Sequence, residues 1–250
     1  MVEPSPDGQW LAYTSVRPQE DVFVSRTDGS GVRQLTNDPA FDRWPTWSPD
    51  SSRIAFYSNR GGIQQIWTIR PDGTDLTRLT DHPGLGILHA TWSPDGTRMI
   101  GVAPSTHKLV LFDPRQSWNR QSPQELPLPD GNSSCATTAW APDGRSLACT
   151  TAAPAGELFI YSIDSRHYER QRLPNPVVFA AWLSDSRRLL YTTPEGKTAL
   201  IDLRTKTSHD VMSLLPDMSV YARPSANNQE MFFVRQTFDA DIYMLTSKQK

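Results

Sequence analysis

Five histidines, two cysteines and an arginine-rich set of cations are the side chains with the plainest chemistry in this 250-residue chain. A zinc or manganese site needs several ligands brought together by short spacing or by a shared surface. His82, His89, His107, His167 and His209 are scattered, and neither His-x-x-x-His nor Cys-x-x-Cys occurs. His82, His89 and His107 fall where one surface could gather them. The enzyme-class alternative is therefore a metal-assisted lyase or hydrolase with His89 and His107 among its ligands. Other chemistries lack their parts. A serine nucleophile on a Gly-x-Ser-x-Gly elbow is absent, as is a phosphate-cradling glycine loop opening a helix. The Asp-rich turns do not have the spacing of a calcium loop. No catalytic residue, metal or cofactor is assigned. Cys135 and Cys149 lie in one predicted hairpin whose turn does not set them opposite each other, so they are expected as free thiols used as small apolar residues.

Charge narrows the partners. Lys and Arg number 25 against 27 Asp and Glu, a net charge of −2, so no domain-wide attraction to phosphate exists. Nucleic acid is excluded on this basis, since its binders carry a clearly basic face. No apolar run approaches the ~18 residues of a membrane span, so direct membrane insertion is not expected. Met1-Val2-Glu3-Pro4 lacks the basic and apolar regions of a signal peptide. The chain enters a repeat almost at once, as expected of an excised domain or a processed form.

The elements that would position these residues come from an internal repeat. Trp47-Ser48-Pro49-Asp50-Ser51 returns as Trp92-Ser93-Pro94-Asp95-Gly96 and Trp140-Ala141-Pro142-Asp143-Gly144. Looser copies read Pro4-Ser5-Pro6-Asp7-Gly8, Trp182-Leu183-Ser184-Asp185-Ser186 and Pro224-Ser225-Ala226-Asn227-Asn228. The fourth position falls at 7, 50, 95, 143, 185 and 227, in steps of 43, 45, 48, 42 and 42 residues. In each turn Pro fixes φ, Asp accepts local amides and Gly takes the left-handed conformation. Ser51 and Ser186 tolerate that conformation less well, which predicts mild strain. A strand follows every turn, such as Trp10-Leu11-Ala12-Tyr13, Ile54-Ala55-Phe56-Tyr57 or Leu189-Leu190-Tyr191-Thr192. Third strands such as Ile66-Trp67-Thr68-Ile69 come next, then Asp28-Gly29 or Asp72-Gly73 and a fourth strand ending Leu35-Thr36 or Leu79-Thr80. The runs are apolar and rich in β-branched and aromatic residues, without helical periodicity. The fold class is all-β.

The pattern Trp-Ser-Pro-Asp-Gly, Ile-Ala-Phe, Ile-Trp-x-Ile, Asp-Gly and Leu-Thr resembles the WD-like repeat of TolB-type propellers. The match is close in repeats two and three, partial in one and four, and an outline in five and six. The resemblance implies a six-bladed β-propeller in one domain, with repeats near 1–43, 44–88, 89–134, 135–177, 178–219 and 220–250. Blades of four strands are implied, the last of them incomplete or closed irregularly, because Asp241-Ile242-Tyr243-Met244-Leu245 reads as a third strand. An unpaired edge there invites another chain, so the protein is expected as a monomer or edge-paired. The family also implies a bacterial, periplasmic or otherwise extracytoplasmic setting. Its members span assembly proteins, sensors and the propeller domains of peptidases, so the fold does not choose a function.

In such a scaffold the Asp-Gly turns share one face and the longer loops share the other, where binding is expected. The crossovers between repeats place Asp42, Arg43, Trp44, His89, Phe179 and Tyr221 around the expected channel mouth, a suitable ring for a peptide or ligand. Against this, each aromatic could simply plug a gap between blades, and Asp42 with Arg43 could form a rim ion pair of ~0–1 kcal/mol. Arg17, Arg60, His107, Glu195 and Asp239 join the same face, with solvated surface as the plain alternative. Arg17 and Arg60 recur after the second strand and so read as structural. The function this supports is a non-enzymatic protein- or peptide-binding module, a sensor or assembly domain of a larger protein. A gating propeller beside a catalytic domain is a further alternative.

Overall fold

The repeated turn closes on itself through side chains. Ser5, Ser48 and Ser93 each donate a hydroxyl hydrogen bond of 2.6 Å to the Asp two residues on. Each hydroxyl also accepts the amide of Trp10, Arg53 or Arg98 at 2.9 Å, which starts the following strand. The Ser93 hydroxyl holds the Asp95 carboxyl down at about 2, against an ordinary 3.8. A carboxylate depressed in the folded state stabilises it above the unfolded value and loses that contribution as pH falls through the folded value. Asp95→Asn should therefore flatten the acid-stability profile between 3.8 and about 2. An unchanged profile in that window would show that the turn bond does not form in solution.

The computed structural model describes residues 1–15, 19–131, 135–151, 156–213, 218–236 and 241–246. Six antiparallel sheets follow one another along the chain. The first contains β1 (Val2–Pro4), β2 (Trp10–Thr14), β3 (Val22–Arg26) and β4 (Arg33–Gln34); the second contains β5 (Asp42–Trp47), β6 (Ile54–Ser58), β7 (Gln65–Ile69) and β8 (Thr77–Arg78). The third contains β9 (Leu88–Trp92), β10 (Met99–Ala103), β11 (Lys108–Phe112) and β12 (Gln124–Glu125). The fourth contains β13 (Cys135–Trp140), β14 (Ser146–Thr151), β15 (Leu158–Ser162) and β16 (His167–Gln171). The fifth contains β17 (Phe179–Trp182), β18 (Arg188–Thr192), β19 (Lys197–Asp202) and β20 (Thr207–Ser213), and the sixth β21 (Met218–Pro224), β22 (Glu230–Gln236) and β23 (Asp241–Thr246). Strand neighbours are chain neighbours throughout. Among the described residues helix is limited to one 3-10 turn at Trp118–Arg120.

Five sheets are complete four-stranded blades, which corrects the expectation of six; the last sheet has three strands among the described residues. The second strands lie where the repeat places them. In the first two sheets the fourth strands are shorter than the pattern suggests, because β4 and β8 have two residues each. Side chains finish the job: Thr36 Oγ1 accepts the Val22 amide and donates to Asp21, and Thr80 does the same for Ile66 and Gln65. The Leu-Thr motif is a clamp on the start of the third strand.

The chain divides into two compact units, Glu3–Leu128 and Pro129–Lys250, the latter with Met1 and Val2. In the first unit one core gathers Ala12, Val24, Trp47, Ile54, Phe56 and Ile69, and another gathers Tyr57, Ile66, Ile87, Met99 and Phe112. In the second unit Leu158, Val177, Trp182, Leu189 and Tyr191 form the core. Anchor tryptophans sit at these seams. The Trp47 indole donates to the Glu3 carbonyl at 3.1 Å and the Trp182 indole to the Ala139 carbonyl at 3.0 Å, each on the preceding sheet.

Three turn positions depart from glycine and gain a partner. Ser51 and Ser186 are left-handed, at φ 58° and 54°, as is Asn228 at 58°. Ser51 Oγ accepts the Asp7 amide, Ser186 Oγ the Asp143 amide, and Asn228 Oδ1 the Ser184 amide, each across to the preceding sheet. The conformational cost is set against a hydrogen bond that glycine could not make.

Cys135 and Cys149 form a disulfide, with Cα atoms 5.4 Å apart. The expectation of two free thiols is corrected, and the reason is a β-bulge. Thr138 pairs with Cys149 and Thr137 with Thr150, but the register then slips so that Cys135 faces Thr151. Residues 149 and 151 share a side of the sheet by the period of two. The extra residue turns Cys135 to that same side, as a diagonal neighbour of Cys149.

Candidate functional site

In the unit Glu3–Leu128, the end of the sheets opposite the Pro-Asp turns is held by hydrogen bonds from the segments before β3 and β7. The Gln19 amide side chain donates to the Asp38 and Ala40 carbonyls, both at 2.7 Å, and the Glu20 carbonyl accepts the Asp42 amide at 2.8 Å. The Gln64 carbonyl takes the Ile87 amide at 3.0 Å in the equivalent place. Position 42 therefore corresponds to position 87, five residues before the anchor tryptophan. Ile87, Cys135 and Val177 fill that position with buried apolar side chains. Position 42 carries a carboxylate instead.

Asp42 is fully buried and pairs with Arg60 at 2.7 Å, while Arg60 also reaches Asp38 at 3.2 Å. The guanidinium of Arg60 lies over Trp67 and Phe56, 5.1 and 5.5 Å from the ring centroids, and its Nε donates to Ser58 at 3.0 Å. Asp42 and Arg43 thus do not pair with each other. Arg43 pairs with Glu20, whose hydrogen bond raises the guanidinium further into its charged form, and it lies 5.4 Å from the centroid of the exposed Phe41 ring. A buried pair with one partner removed leaves an uncompensated charge. Asp42→Ala should cost about 2 kcal/mol in urea unfolding, with Asp38 limiting the loss. Replacing both partners, Asp42→Ile with Arg60→Met, should recover most of it, as apolar substitutes for buried pairs do. If Asp42→Ala is neutral, the pair is solvated and contributes nothing.

Three residues before the anchor, the first strand bulges. Trp44 in β5, His89 in β9 and Tyr221 in β21 have φ of 60°, 49° and 66°, and the ladder register shifts at each. Bulky L-residues avoid this region. Bulges re-aim side chains, and here they bring rings together: Trp44 and His89 lie 4.2 Å apart between centroids, with His89 edge-on to Tyr57 at 5.4 Å. Trp44 and His89 are both half-buried. In the other unit Phe179 holds the same position in a regular ladder. It is buried, packed edge-on to Tyr221 at 5.4 Å and under the Arg223 guanidinium at 4.5 Å. Burial raises the Tyr221 hydroxyl above its ordinary value. Asp42, Arg43, Trp44 and His89 thus form one group, and Phe179 with Tyr221 another.

Of the remaining candidates, His107 and Glu195 are exposed, while Arg17 and Asp239 lie outside the described residues. His89 meets aromatic rings, and among the described residues no group of three or more His, Cys, Asp or Glu side chains is placed to hold a metal. Sequence reasoning missed Glu20 and Phe41 and the true partner of Asp42. The one signal was a charged residue at a repeat position that is apolar in the three repeats that follow.

Residues 3–124 match the family model described as the TolB beta propeller domain. The structure of TolB from Acinetobacter baumannii superposes with a TM-score of 0.79 over 97% of this chain and 62% of that one, at 18% identity. The fold is that of a TolB-like β-propeller. An uncharacterized protein of Agrobacterium fabrum is 30% identical to this TolB-like propeller over 155 residues, 58% of this chain and 52% of the relative. A dipeptidyl-peptidase 5 of Porphyromonas endodontalis is 33% identical over 106 residues, 40% of this chain and 15% of that enzyme. The TolB-like propeller therefore spans about half the length of the first relative and a small part of the second. No helix among its described residues is long and apolar enough to cross a membrane.

Proposed function

We propose that this TolB-like propeller is a non-enzymatic module that binds a protein or peptide through its loop ends, as a sensor or assembly domain of a larger protein. The carrying observation is the set of left-handed bulges at Trp44, His89 and Tyr221. Glycine or asparagine would occupy that backbone at less cost, and strain of this kind persists where the surrounding structure sustains it for a purpose. Asp42 supports the reading by anchoring Arg60 in the same loop end, and Arg43 offers a guanidinium beside the exposed Phe41. Phe179 acts from beneath, holding Tyr221.

In the same reading the three-stranded sheet β21-β22-β23 belongs, with the five complete blades, to one domain spanning residues 1–250. The protein then works as a monomer or pairs through β23, which has a strand on one side only among the described residues. The setting is periplasmic or otherwise extracytoplasmic, in keeping with the Cys135–Cys149 bridge, since disulfides persist in oxidising compartments.

His89→Asn tests the binding role, because Asn tolerates the left-handed backbone. Stability should stay within about 1 kcal/mol, with strain relief offsetting lost ring contacts. Crosslinking of a partner through a photoreactive group at position 43 should fall sharply. A large loss of stability with crosslinking intact would make the bulge simple core packing. The similarity to a dipeptidyl-peptidase favours a second reading, a propeller that gates a neighbouring catalytic domain. That reading requires a longer parent chain whose peptide turnover changes when residues 43 and 44 are altered.

A further inference from the structure

The turn end of the unit Glu3–Leu128 carries a cleft of its own, between the second and third sheets, with a volume of about 490 Å³. Asp50 and Arg53 line it from one sheet; Trp92, Asp95, Pro114 and Arg115 line it from the other. We propose that this cleft binds a neutral saccharide of one or two rings, stacked against the Trp92 indole and hydrogen-bonded by the flanking Asp and Arg pairs.

The charges define the ligand. Two carboxylates balance two guanidiniums in the lining, so neither a phosphate nor a metal ion gains from entering. Hydrogen bonds from Ser48 and Ser93 hold Asp50 and Asp95 below the ordinary carboxylate range, so both are acceptors only at neutral pH. The guanidiniums are donors only, and each is braced by a carboxylate outside the lining, with Thr68 of the lining also accepting from Arg53. Arg115 is gripped at two atoms by Asp113, at 2.9 Å each, and Arg53 by Asp75 and by Thr68 Oγ1 at 3.3 Å. A ligand must therefore offer donors and acceptors on neighbouring atoms while remaining uncharged. It must also present an apolar face to Trp92 and Pro114. Adjacent hydroxyls on a pyranose ring meet all of these demands. A phosphate lacks the donors, and an ammonium lacks the acceptors. Bracing keeps the ordering cost of the polar groups low.

The test uses the full chain with cellobiose, maltose and N,N′-diacetylchitobiose, read by tryptophan fluorescence and by saturation-transfer NMR. At least one disaccharide should bind saturably. Arg115→Ala removes a largely exposed side chain and should weaken binding by about tenfold or more, the loss of one charge-assisted hydrogen bond. Asp95→Asn should weaken it comparably. Arg43→Ala, at the opposite end of the sheet, should leave it unchanged, which separates this site from the loop-end function proposed above. The proposal is overturned if none of the three sugars binds saturably, if Arg115→Ala and Asp95→Asn bind as wild type does, or if a capped tripeptide competes for the cleft more tightly than any sugar.

Discussion

Gly86→Ala is expected to destabilise the protein by about 3–5 kcal/mol, or to prevent folding. Gly86 sits at φ +81°, and a Cβ built there falls inside the carbonyl group of Gln64. That carbonyl cannot retreat, because it accepts the Ile87 amide within the parallel bridge Gln64–Gly86. The left-handed backbone alone costs an L-residue about 1–2 kcal/mol; the collision supplies the rest. Gly73→Ala separates the two, since Gly73 has φ +88° and open space around its Cβ. It should lose only the backbone part. Equal urea midpoints for the two variants would mean that the second sheet yields at position 64 and that the bridge is not rigid.

Removing the Cys135–Cys149 bridge should cost about 3 kcal/mol, the value associated with closing a loop of this size. The cysteines are 14 residues apart and both are buried. Reduction and Cys135→Ala with Cys149→Ala should lower the thermal midpoint by similar amounts. An oxidised protein that unfolds at the same temperature before and after treatment with a reductant, its thiols counted to confirm reduction, would rule out a stabilising bridge.

Much of the fold was legible because the anchor is local chemistry. Ser-Pro-Asp closes its own hydrogen bonds, so the position of each second strand follows from residues a few places away. Side-chain clamps such as Thr36 on Asp21 were not legible, since they act between strands whose register was unknown. The disulfide failed for the same reason in sharper form. A one-residue slip between Cys135 and Thr137 reverses which cysteines share a side, and nothing in their spacing announces it. At the loop end, position within the repeat picked out Trp44, His89 and Tyr221, but not the left-handed backbone that makes them unusual. Asp42 and Arg43 read as neighbours that could pair, while each in fact reaches a partner about twenty residues away. The cleft beside Trp92 escaped notice because its walls come from two repeats that look unremarkable one at a time.

The Ser51, Ser186 and Asn228 side chains reach back to an amide on the sheet before their own. A row of independent hairpins would melt piecemeal, each at its own temperature. Borrowed amides make a neighbour's loss immediately costly, so partial opening is penalised before any apolar seam has parted. Amide exchange at Asp7, Asp143 and Ser184 should then report openings that take in the adjacent sheet as well, giving these exposed turns the slow solvent clock of an interior.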